Sequence, residues 1–516
     1  GITATGDINL VSSGGDIGKS STDSVAVNTE GVVNAEASNI YMSSDKNFNT
    51  GSITASQTGN VDIRTTADGS DIVIKNLMKG GNIVLNAKGS VKQDSTLSKS
   101  IEADNLDITA QTGDIGETGN AIDFSSTGSL SANAQQGSVI LNGIDTDIYV
   151  GSASGGGSIV AGKSIDLSTE NSGGIFVQSA LTANDGYIRL NSVESLNLSE
   201  DITASEKVEL ISQTGDILLD ALINAGTDIV VDSSGAITAG SENVLLTAGN
   251  DITLNANSTV GEKLQKIKVN ADNNVTVTGS SVYLQSPGKT INLAGINSGG
   301  VVDISTTTSG DINIRDNSEI TGSDITLNAA DGIYQEGDEK TITASGKLDL
   351  TANNTDIGRE NNALIFAADS VKASAEKGSI VLNGIDVDIK TDTINAGKNI
   401  DLSTTNSGNI IIQSELSTQN GGYIRLNSAQ SLVVDKNITS SDYLFLGAKE
   451  GLELSAIIQA VNDITMETQG GINQISGSVT STAGKVLASN TVSGGIILNN
   501  VAAQTGMNIT NTGDSA

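Results

Sequence analysis

GSVILNGIDTDI at 137–148 returns as GSIVLNGIDVDI at 378–389, a shift of 241 residues. The likeness spreads outward from there. NVDIRT around Val61 meets VVDIST around Val302, and NIYM at Tyr41 meets SVYL at Tyr283. GYIRLNS recurs unchanged at 186–192 and 422–428, and ITATGDINL from Ile2 has a partner in LTAGNDITL from Leu246. The 516 residues therefore read as tandem copies of a unit near 240 residues: copy one at 1–244, copy two at 245–484, and the start of a further segment at 485–516. Repetition on this scale points to a structure built by stacking rather than to a globule folded once. An enzyme needs one active site, whereas a shaft needs length.

Inside each copy a shorter phrase recurs: a small or polar pair, a β-branched residue, any residue, then an aliphatic one. GDINL at Gly6, GNIVL at Gly81, KSIDL at Lys163, GDILL at Gly215, NDITL at Asn250 and KNIDL at Lys398 are examples. The I-x-L alternation has the period of two of a half-buried strand. Gly, Asn, Asp and Ser between the phrases supply turn chemistry, and no sustained helical spacing occurs. Two strand phrases fit into roughly 20 to 23 residues before the pattern resets, which lies in the solenoid range. The fold expected is all-β, a right-handed parallel β-helix made of two tandem superrepeats. Ile140, Ile165, Ile188 and Ile217 are expected inside it, and Asn86 and Asn328 in internal amide ladders.

Composition supports stacking. There are 59 Gly and 1 Pro, no His, Cys or Trp, and 2% aromatic residues. Proline cannot donate to a strand ladder, so a chain with hundreds of ladder bonds excludes it; Pro287, beside Gly288, reads as a turn. With so few aromatic rings, the core must be Ile, Val, Leu and Ala. A net charge of −33 argues against nucleic acid or an anionic membrane surface as partner. The absence of cysteine removes disulfides and thiol chemistry, and suits export through an oxidising compartment. No apolar run is long enough for a membrane helix, and both ends read as cut from something longer.

TGDIG at Thr112, GGDIG at Gly14 and TDIG at Thr355, each followed by a polar stretch and an aliphatic strand, resemble the shaft repeats of filamentous-haemagglutinin-like exoproteins. Those are large adhesins of two-partner secretion systems. The likeness is one of repeat style and covers essentially the whole chain. It implies a β-helix shaft that is secreted or displayed on a cell surface, with adhesion as its task and no catalytic residues to carry over. Its partners would be other copies of itself or a host or neighbouring cell surface. The Asn-Pro-Asn motif of the family's secretion domain is not in this sequence.

Candidate chemistry is sparse. Asp145 and Asp147 recur as Asp386 and Asp388; if each pair lay in a strand, its two carboxylates would share a face. Hard oxygen ligands suit Ca²⁺, so these four are the metal candidates, Ca²⁺ being the only cofactor considered. The preferred reading of the same acids is a solvated face that discourages lateral aggregation. The nonapeptide pattern of calcium-binding β-rolls is missing, since GGGSIVAG at Gly155 lacks its Asp. β-Helix folds also host polysaccharide lyases and glycoside hydrolases, and Arg189 and Arg425 are the basic residues placed best for such a reaction. Their recurrence in both copies favours a structural part over a unique site. The sequence alone therefore favours a non-enzymatic shaft. It also carries an insertion: copy one has six more residues than copy two between Asp147 and Gly162, and these are expected to leave the coil as a widened turn within 151–158, with none at 391–395.

Overall fold

The computed structural model describes residues 1–151 and 157–513. Among them every element is a strand and none a helix. The chain is a parallel β-solenoid of about 23 turns, divided into two compact units, Gly1–Ile267 and Lys268–Ala516.

One turn of the first unit shows how the sequence makes the coil. Ile188–Ser192, Leu196–Leu198 and Ile202–Ala204 form three short walls, joined by corners of two to five polar or glycine residues. Each wall pairs in parallel with the equivalent strand of the following turn, Ile188 with Val208, Leu196 with Ile217 and Ile202 with Ile223. Successive equivalents Ile165, Ile188, Val208, Ile229 and Ile252 are 23, 20, 21 and 23 residues apart. In the second unit Ile400, Ile424, Leu444, Ile464 and Val486 are 24, 20, 20 and 22 apart. The turn length expected from the phrases is therefore the turn length formed, and differences among turns are absorbed at corners, where backbone register is not at stake.

The period of two sorts the side chains. Ile165, Ile188 and Ile217 are fully buried, as the I-x-L pattern requires. Ile140 is a correction: in GSVIL the inward face begins at Val139 and continues at Leu141, so Ile140 falls on the alternate, outward position. The asparagines are another. Asn86 and Asn328 point outward, and the amide ladder forms outside the core on Asn39, Asn60, Asn82 and Asn105, with contacts of 3.4, 3.0 and 2.9 Å. A narrow aliphatic core has no room for an amide that needs two partners.

Two devices hold the corners. Buried serines at the inner end of a wall donate to corner carbonyls, as Ser192 Oγ to Ser195 O at 3.0 Å and Ser428 Oγ to Ser431 O at 2.8 Å. Aspartates that open a strand phrase accept the backbone N–H of the following turn. Asp114 Oδ1 takes Ser138 N at 2.7 Å and Asp216 Oδ1 takes Ala236 N at 2.7 Å. In the second unit Asp311 takes Gly332 N at 2.9 Å and Asp463 takes Lys485 N at 2.8 Å. These staples are charge-assisted and satisfy corner amides that no ladder reaches.

The D-I-G phrases have their own geometry. Glu117 and Asn120 exchange both backbone hydrogen bonds in a tight hairpin, and so do Arg359 and Asn362. The preceding Gly116 and Gly358 sit at φ 74° and 70°. A Cβ on Gly116 would meet Ile140 O at 2.1 Å, so only glycine lets the hairpin leave the wall there. The expected widened turn within 151–158 falls mostly outside the described residues. Its counterpart in copy two is a continuous strand, Ile389–Ala396, whose register shifts once against Val371 and Lys372. Pro287 lies in the corner after Val282–Ser286, followed by Gly288 at φ 110°.

Candidate functional site

Outward side chains stack as strictly as inward ones, and this builds the most concentrated charged region of the first unit. In GYIRLNS at 186–192 the residues Tyr187, Arg189 and Asn191 face out while Ile188 and Leu190 face in. Register places Asp166 on the turn before Arg189 and Glu209 on the turn after. Arg189 Nη1 lies 3.7 Å from Asp166 and its Nε 3.3 Å from Glu209, which Lys207 also meets at 3.0 Å. Burial pushes the Asp166 carboxyl above the ordinary carboxylate range, against the pull of Arg189. Burial likewise raises the Tyr187 phenol.

Beside this column a polar cleft of about 400 Å³ opens under the Glu117–Asn120 hairpin, with Gln93, Asp123, Asn142 and Asp166 on its walls. Its groups bond to one another. Gln93 Nε2 donates to Asp123 at 2.7 Å, Asn142 Nδ2 donates to Asp123 at 2.9 Å and to Glu170 at 3.0 Å, and Ser168 Oγ donates to Asn142 at 2.9 Å. Such a network fixes the wall and leaves Arg189 committed to two carboxylates.

The second copy of GYIRLNS meets different neighbours. Arg425 pairs with Asp401 at 3.5 Å on one side, but the next turn offers Phe445, whose ring centre lies 5.9 Å from the guanidinium carbon. Tyr423 and Tyr443 stack with ring centres 4.8 Å apart. Desolvation, reinforced by Asp401, pushes the Tyr423 phenol up to about 12, and burial raises Asp401 as it does Asp166. Ile365 stands where the first unit has Asp123, held by the same contact: its N–H donates to Gln335 Oε1 at 2.8 Å, as Asp123 N does to Gln93 Oε1.

No protein-family model, curated protein or solved structure matches the chain. Its chemistry is therefore read from its own residues.

The calcium candidates lie elsewhere than the expectation had them. Asp145 and Asp386 adopt φ of 53° and 56° in the corner after their strands, so neither pair lies along a strand and the alternation argument does not apply. Asp147 accepts Gly174 N at 2.8 Å and the Tyr149 hydroxyl at 3.1 Å. Asp388 accepts Asn409 N at 2.8 Å and its Nδ2 at 2.9 Å. Both are turn-to-turn staples. Among the described residues no group of three or more acidic, His or Cys side chains is placed to hold a metal ion, and no helix is long and apolar enough to cross a membrane.

Proposed function

We propose that this chain is shaft material of a secreted or cell-surface adhesin or matrix fibre, contributing spacing and attachment rather than turnover. The supporting observation is where the functional groups go: acids, amides and hydroxyls on the wall bond the next turn or each other, in both units. A catalytic group must instead keep a lone pair or proton free for substrate. The resemblance to haemagglutinin-like shaft repeats points the same way. One observation favours the alternative, a polysaccharide lyase or glycoside hydrolase: the raised Asp166 carboxyl stands beside Arg189 in a polar cleft. A single comparison separates the two. The purified chain, immobilised, is expected to support cell attachment and to leave a panel of acidic and neutral polysaccharides uncleaved. Release of reducing ends or unsaturated uronate that disappears in Asp166→Ala or Arg189→Ala would overturn the shaft reading.

A further inference from the structure

The outward column that runs through Asn427, Gly447, Glu467 and Ser489 in the second unit has a missing side chain in the middle. In the first unit the matching column is Asn191, Ile211 and Asp232, and Ile211 fills the place of Gly447. There Asn191 is also occupied, its Oδ1 accepting Gln213 Nε2 at 3.1 Å. In the second unit the gap opens into a groove of about 350 Å³, flanked by Phe445 on one side and Lys449 and Gln469 on the other. Among the described residues, the side chains of Asn427, Lys449, Glu467, Gln469 and Ser489 make no hydrogen bond or ion pair. This contrasts with the saturated cleft of the first unit.

We propose that this notch binds one ring of a neutral hexopyranose glycan. Asn427 and Glu467 stand two turns apart, roughly 9 to 10 Å at the usual strand spacing, which brackets a sugar ring lying over Gly447. The volume sits at the low end of ligand pockets, about 300 to 1,000 Å³, enough for a monosaccharide unit. Phe445 supplies an apolar edge for the C–H groups of the ring. The amides, the carboxylate and the ammonium supply donors and acceptors for its hydroxyls, so a polar ligand would satisfy groups that the fold leaves free. Glu467 on the wall and a chain charge of −33 disfavour sulfated or uronic glycans. The inference gives the attachment role a ligand class, and rests on that role only for its biological meaning; binding itself is measured in solution.

The test is saturation-transfer NMR and calorimetry on the whole chain with glucose, galactose, mannose and N-acetylglucosamine, their neutral tetrasaccharides, and a sulfated and a uronic tetrasaccharide. At least one neutral series is expected to bind. Gly447→Ile, which copies the first unit, should weaken it tenfold or more, as should Phe445→Ala. A Cβ at 447 meets only the flexible ends of Phe445 and Asn427, at 2.7 and 2.8 Å, so the strand should be kept; Asn427→Ala with Glu467→Gln is a second variant that leaves the backbone alone. Ile211→Gly in the first unit should change nothing. Absence of neutral-sugar binding, binding of the charged oligosaccharides only, or unchanged affinity in these second-unit variants would overturn the proposal. Loss of cell attachment with sugar binding intact would instead count against the shaft reading.

Discussion

The two GYIRLNS turns share seven residues and differ in the turn that covers them. KVELIS at 207–212 gives the first an acid over its arginine, and YLFLGA at 443–448 gives the second a ring. The first unit thus closes Arg189 between two carboxylates, whereas the second leaves Arg425 half exposed, with one carboxylate, stacked tyrosines and a notch. In a solenoid the meaning of an outward residue is set by its neighbours one turn away. Identical phrases therefore need not make identical surfaces.

The largest effect should ignore that difference. Ile217→Asp in the first unit and Leu452→Asp in the second each bury a charge in the same kind of aliphatic core. Each should cost at least about 3 kcal/mol locally, with amide exchange accelerated on the altered turn and its two neighbours. A marked inequality between the two, or exchange that rises uniformly, would break the claim that the cores are alike.

The arginines should differ. Arg189→Ala leaves Asp166 and Glu209 without their shared counterion, and Arg425→Ala leaves Asp401 alone. Both sites are partly open to solvent, which screens them, so about 1 to 2 kcal/mol is expected in the first unit and about half that in the second. Glu209→Phe, which copies the second unit, should bring the two losses together. Turn-resolved hydrogen exchange reads all three, and equal losses in the starting protein would remove the comparison's energetic content.

Alkali gives the smallest and most local effect. Tyr423 has its folded-state pKa raised, so the neutral phenol favours the folded form below about pH 10, its ordinary range. That contribution is lost as pH rises towards about 12. The raised carboxyls of Asp166 and Asp401 follow the same sign at the acid end: they favour the folded state when protonated and lose that contribution as pH rises through their folded values. Phenolate absorbance at Tyr423, isolated by comparison with Tyr423→Phe, should appear later than that of a free phenol. Titration at the ordinary value would contradict the buried, acid-flanked setting described for this ring.

Much of this was legible. The I-x-L phrases located the buried residues, and the reset of the pattern located the turns, because one strand's alternation suffices to say which side faces in. Ile140 was misplaced by reading one position late in an apolar run where both neighbours are also aliphatic. The acids were harder. Asp147 and Asp388 read as solvated or metal-binding because their partners, Gly174 N and Asn409 N, lie one turn on, and the corner that brings them together has variable length. The notch was not legible at all. One glycine among 59 becomes a gap only when the residues stacked on either side are known.

The aspartate staples have a direction. Asp114 precedes Ser138, Asp216 precedes Ala236 and Asp463 precedes Lys485: in each the acceptor belongs to the earlier turn and the donor to the later one. A chain emerging amino end first therefore lays down each receptor before the segment that docks on it. Growth towards the carboxyl end meets a template already charged and oriented, while growth the other way does not. Assembly in this molecule has a built-in arrow, written in the side of the corner on which the acid sits.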